Sequence, residues 1–75
     1  MNLQTHRAMP DITDLYYKTM TQAITEALIM SQKFQDFFFY VRRSTTTGRP
    51  KVTILGDFIS DEPIIYTITK GEITL

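Results

Sequence analysis

Between Asp11 and Lys33 the chain has neither glycine nor proline, and apolar or small residues recur there at helical spacing: Ile12, Leu15, Tyr16, Met20, Ala23, Ile24, Ala27 and Leu28. This run predicts a single N-terminal helix over about 11–33. Pro10 followed by Asp11 suits its start, because Asp11 caps free amides and Asp14, three positions on, complements the positive end of the helix dipole. Thr13, Lys18, Thr21, Gln22, Thr25 and Glu26 fall mainly off the apolar stripe and are expected to meet water.

The next segment fits two periods. Phe34, Phe37, Phe38 and Val41 keep helical spacing, whereas Phe37-Phe38-Phe39-Tyr40-Val41 is a run of β-favouring residues. A helix continued to Val41 would be about 45 Å long, at about 1.5 Å per residue, which overshoots a compact chain of this size. Helix followed by strand is therefore the preferred reading.

Arg42 to Pro50 is polar and holds a glycine and a proline, so it reads as a turn, and Lys51 to Ile59 as the next strand. Ser60-Asp61-Glu62-Pro63 is a second turn. It leads into Ile64 to Lys70, where Ile64, Tyr66 and Ile68 alternate with Ile65, Thr67 and Thr69 in the clearest strand pattern of the chain. Gly71 turns the chain toward Glu72-Ile73-Thr74-Leu75, a short fourth strand or a frayed tail. The expected fold class is α+β: one helix packed on a three- or four-stranded antiparallel meander, in the order αβββ. Residues 1–10 form a polar lead-in and residues 11–75 one small domain.

Composition narrows the function classes. With 43% apolar residues, 21% charged residues and no net charge, the 75-residue chain has the balance of a folded domain and no global field for polyanions or anionic membranes. The N-terminus carries no secretory signal pattern, and the apolar runs at 27–30 and 37–41 fall far short of the roughly 20 residues needed to span a bilayer. A cytoplasmic protein without membrane contact is expected. Zero cysteines remove disulfides, thiolate nucleophiles and cysteine-based metal sites together. A domain this small buries only about 60% of its unfolded surface, so association is the support left open to it.

Chemistry finds little to work with. His6, the only imidazole, sits on the polar lead-in, and Ser31, Ser44 and Ser60 occupy a helix end and two turns where local backbone bonding accounts for them. Asp57, Asp61 and Glu62 form an acidic cluster without the spacing of a calcium loop, and Gly48, Gly56 and Gly71 are too dispersed to cradle phosphate. The sequence predicts a protein that is not an enzyme and uses no cofactor or metal.

Two features exceed this background. Arg42, Arg43, Arg49 and Lys51 bracket one turn, while Asp57, Asp61 and Glu62 are expected at the opposite end of the second strand, which would make the molecule dipolar. A tip with four cations and three threonines is a candidate phosphate clasp, with Phe38 or Tyr40 as a stacking surface. The second feature concerns the sheet. Its pleat sends alternate residues to opposite faces, and one helix covers only one of them. Phe37, Phe39 and Val41 oppose Phe38 and Tyr40, and Val52, Ile54 and Phe58 oppose Leu55 and Ile59, so apolar surface is expected on both faces. A patch of Phe38, Tyr40, Leu55, Ile59 and Ile65 is the candidate partner-binding surface. The sequence thus points to a protein-interaction module, such as an inhibitor, adaptor or small subunit, that binds a protein partner through this face or its helix and forms a homodimer. The alternative is a nucleic-acid binder using Arg42, Arg43, Arg49 and Lys51.

Overall fold

Thr19 decides where the helix begins. Its backbone is extended, with φ −130° and ψ 155°, and its hydroxyl accepts the Gln22 N–H at 3.1 Å, satisfying one of the amides that a helix N-terminus leaves open. In the computed structural model, which describes residues 15–54 and 61–74, the chain forms β1 (Leu15–Tyr16), α1 (Met20–Lys33), β2 (Phe39–Arg43), β3 (Pro50–Thr53), β4 (Tyr66–Thr69) and β5 (Glu72–Thr74). One helix therefore packs on an antiparallel sheet, the α+β arrangement expected from the pattern.

Two parts of that expectation are corrected. The helix does not extend back over 15–19: Leu15 and Tyr16 pair with Val52 and Lys51, and Tyr17 donates its N–H to the Pro50 carbonyl at 2.9 Å. Bulky residues with β preference satisfy a strand edge as readily as a helix face, and the Thr19 cap separates the two. Asp11 and Asp14 lie outside the described residues. The sheet also has five strands, and its order is β1-β3-β2-β4-β5 rather than that of a meander. β2 takes the centre, with β3 on one side (Val41 opposite Val52) and β4 on the other (Val41 opposite Tyr66, Phe39 opposite Ile68). β4 thus runs beside β2 instead of continuing from β3.

The core follows from what each element offers. Ala23, Ala27 and Ser31 recur every four residues along α1 and are fully buried, so the helix presents a strip of small side chains to the sheet. Phe39, Val41, Val52 and Ile68 rise from the sheet to fill the space beneath them. Met20, Ile24, Leu28, Met30 and Phe34 pack around this centre from the flanks of the helix and its end. Near β1, Tyr17 is held against the same cluster; burial first, and then the negative charge of Glu26, push its phenol above the usual tyrosine range.

The turns are built by their side chains. Between β2 and β3, Ser44 donates its N–H to Arg49 O and accepts Gly48 N–H on its own carbonyl, each at 2.9 Å. Its buried hydroxyl meanwhile accepts the amides of Thr46 and Thr47 at 3.2 Å. Gly48, at φ +74°, supplies the left-handed residue that closes this loop. Between β4 and β5, Lys70 and Gly71 both have positive φ (53° and 74°), the signature of a two-residue type I′ turn. Ser31 clasps this turn to the helix: its hydroxyl donates to Leu28 O at 2.9 Å and accepts Gly71 N–H at 2.8 Å.

Candidate functional site

Strand alternation divides the side chains of the sheet cleanly. Phe39, Val41, Val52 and Ile68 meet the helix, so Tyr40, Arg42, Lys51, Thr53 and Thr67 belong to the opposite face. That face is mixed in character. Toward the start of β2, the rings of Phe38 and Tyr40 stack with centroids 6.5 Å apart and planes 14° from parallel, and Phe38 is 50% exposed. Two residues apart at the entry to β2, the rings form a short aromatic ridge. Thr53 and Thr67 flank Tyr40 on the neighbouring strands, in register.

Toward the other end of β2 the same face is ionic. Arg42 is 1% exposed and donates through Nη1 to the Glu62 carbonyl at 2.6 Å. Lys51, opposite Arg42 in register and 6% exposed, meets Glu62 Oε1 at 2.7 Å, and its ammonium lies 5.9 Å from the centre of the Tyr16 ring. Glu62 Oε2 accepts the Thr45 N–H at 3.2 Å. The hydrogen bond from Lys51, followed by that from the Thr45 amide, holds the Glu62 carboxyl below the usual carboxylate range. One acidic residue thus fastens two cations of the sheet, and the segment that carries it, to the β2–β3 turn.

This arrangement redraws the charge map read from the sequence. Asp61 and Glu62 do not lie at the far end of the second strand from the basic turn. Thr45 Oγ1 is within 3.4 Å of Asp61 Oδ2 and 3.5 Å of Glu62 Oε2, so the two acids sit beside that turn. The reason is topological: the chain returns to pair β4 with β2, with Ile65 N–H on Val41 O at 2.8 Å, and Glu62 precedes that return. Asp57 lies outside the described residues.

Of the five residues assigned to a partner surface, Phe38 and Tyr40 are brought together. Ile65, 37% exposed, lines an open cleft of about 320 Å³ with Arg43, Ser44, Thr45, Asp61 and Pro63. Leu55 and Ile59 lie outside the described residues. Of the four cations, Arg42 and Lys51 are buried around Glu62, whereas Arg43 and Arg49 are exposed, the former donating to Gly48 O at 2.9 Å. Sequence reasoning singled out Glu62 but placed it away from the cations it engages, and it missed Tyr16. Glu62 gave one usable signal, an acid directly before Pro63 and the clearest strand; Tyr16 gave none, having been absorbed into the helical pattern.

Among the described residues, no three His, Asp or Glu side chains gather as a metal site would require, and no helix is long and apolar enough to cross a membrane. No family model, curated protein or solved structure matches this chain.

Proposed function

We propose that this protein is a small non-enzymatic, cytoplasmic interaction module that docks a protein partner on the sheet face turned away from its helix. The observation that carries the reading is the Phe38–Tyr40 ridge, two stacked aromatic rings at the entry to the central strand, with Phe38 half exposed to solvent. Rigid aromatic side chains of this kind contribute much contact area at little cost in conformational entropy, and they dominate the energetics of protein interfaces. The helix is the weaker candidate surface, because Ile29 is its one large apolar residue that stands exposed.

Nucleic-acid binding remains the second reading, supported by exposed Arg43 and Arg49 at the β2–β3 turn. It ranks lower because Arg42 and Lys51 are engaged by Glu62, which leaves two of the four cations facing solvent. Competitive co-purification from the native host separates the readings. Capture of a protein that persists at high salt, survives Arg43→Ala with Arg49→Ala, and is lost with Tyr40→Lys supports the docking face. Submicromolar oligonucleotide binding that falls steeply with salt and disappears with the arginine changes supports the rival, since apolar contacts respond little to salt whereas phosphate contacts release counterions.

A further inference from the structure

The strand β5 closes one side of the sheet, is exposed along its length, and among the described residues pairs on one side only, with β4. Its register fixes which backbone groups face outward. In a two-residue hairpin the pair that closes the turn, here Thr69 and Glu72, exchanges both hydrogen bonds; the next pair, Ile68 and Ile73, does not. The N–H and C=O of Ile73 therefore point away from β4 toward the open edge. The edge is lightly guarded: apart from Glu72, β5 has no charged residue, and it has no proline and no positive-φ bulge. Its middle residue is instead an isoleucine, 45% exposed.

We propose that β5 pairs with β5 of a second copy of this chain, antiparallel and centred on Ile73, joining the two sheets into one. The sequence of the strand is self-complementary in this register. Ile73 exchanges both hydrogen bonds with Ile73 of the second copy, and Glu72 falls opposite Thr74 of that copy. A slip that centres the pair on Glu72 sets two carboxylates side by side, which is unfavourable. The side-chain environment agrees. Ile73 shares the helix-facing side of the sheet with its partner Ile68, and the helix reaches this edge through Ser31, whose hydroxyl holds Gly71, and Gln32, whose Cγ lies 2.9 Å from where a Gly71 Cβ would stand. Leu28, three and four residues before these two, shares their flank and is partly buried. The pair of Ile73 side chains would sit between two such flanks.

The two-fold axis of this pairing is perpendicular to the sheet, so both helices lie on one side and both Phe38–Tyr40 ridges on the other. The dimer expected from the sequence is thus placed at the strand edge, apart from the docking face, and it makes the assembly bivalent. The inference stands independently of the docking role. The edge is short, so the dimer is a concentration-dependent one.

Light scattering coupled to size exclusion, run on the full chain from about 20 μM to about 1 mM, tests it. The mean mass is expected to rise from monomer toward dimer over this range. Ile73→Lys and Ile73→Glu, each opposing like charges across the axis, are each expected to weaken association about tenfold or more, and an equimolar mixture of the two to restore it. Hydrogen exchange of the unmodified protein gives a readout that depends on no variant: the Ile73 amide gains protection as concentration rises. A chain that stays monomeric throughout overturns the proposal. So does a dimer that survives both Ile73 variants and dissociates with Tyr40→Lys, or an Ile73 amide whose exchange ignores concentration.

Discussion

Replacing Ser31 by alanine removes a single oxygen from a site with no solvent exposure, and that oxygen serves two partners. The lost hydroxyl donated to Leu28 O at 2.9 Å, an acceptor within the helix, and it accepted the Gly71 amide at 2.8 Å. The second bond matters more, because the amide cannot turn to another acceptor without moving the type I′ turn. A hydrogen bond of this kind contributes about 0.5–1.5 kcal/mol net, and a stranded buried donor costs about 1–3 kcal/mol; Gly71 is half-buried, so water reaches it and the lower end of that range applies. Alanine returns a few tenths of a kcal/mol, roughly 0.5 at most, through its higher helix propensity. The net expectation is a destabilisation of about 1–2 kcal/mol, seen as a lower urea midpoint at unchanged slope and a fall in Tm of about 4–8 °C per kcal/mol for a domain of this size. Hydrogen exchange should show the Gly71 amide losing protection before the amides of β2. A Ser31→Ala protein as stable as the parent, with Gly71 still protected, would refute the view that this clasp holds the β4–β5 hairpin to the helix.

Three further outcomes follow from the turns and the ionic cluster. Thr19→Ala should cost about 1 kcal/mol in chemical denaturation by leaving the Gln22 amide uncapped, whereas Thr19→Asn should be close to neutral. Lys70→Asn should stabilise by about 0.5–1 kcal/mol, since Lys70 holds a φ of 53° that asparagine tolerates better; a loss of stability would contradict the turn assignment. The Glu62 carboxyl binds its proton more weakly in the folded protein than its ordinary value of 4.5. Acid therefore favours the unfolded chain: the contribution of Glu62 is present above that value and is lost as pH falls through the lower folded one. Glu62→Gln should flatten the acid limb of a stability-against-pH curve, and an unchanged limb would show that the carboxylate contributes nothing there.

The sequence made the helix legible where its period was unambiguous, and misled where two periods overlapped. Ala23, Ile24, Ala27 and Leu28 fit a helix alone, and α1 covers them. Leu15 and Tyr16 fit a helix face and a strand edge equally, and local pattern cannot choose when the deciding partner, Val52, is distant in the chain. The signal that resolves the boundary was present in Thr19-Met20-Thr21-Gln22, a capping-box spacing directly ahead of the helical run. The Phe38–Tyr40 ridge was legible for the opposite reason: the spacing of two residues at the entry to β2 brings the rings together without reference to any other element. The burial of Arg42 and Lys51 was not. Both read as exposed cations on a turn, and the return of Glu62 beside them, set by where β4 pairs, is invisible to local pattern. Strand order is the general form of this limit, because alternation tells which faces are apolar and says nothing of which strand lies beside which.

A central β2 also shapes how the chain reaches this fold. β2–β3 and β4–β5 are each joined by a short turn with its own side-chain or glycine chemistry, so each hairpin can form from neighbouring residues alone. Neither hairpin contains the whole core: Phe39, Val41 and Val52 lie on β2–β3 and Ile68 on β4. Phe39 meets Ile68 and Val41 meets Tyr66 only across the seam between β2 and β4, and α1 contacts strands on both sides of that seam. Closing the chain between β3 and β4 costs entropy, and the contacts across this seam are among those that repay it. Cooperativity in so small a protein is a property of that seam: until it closes, the helix has only part of a surface to rest on.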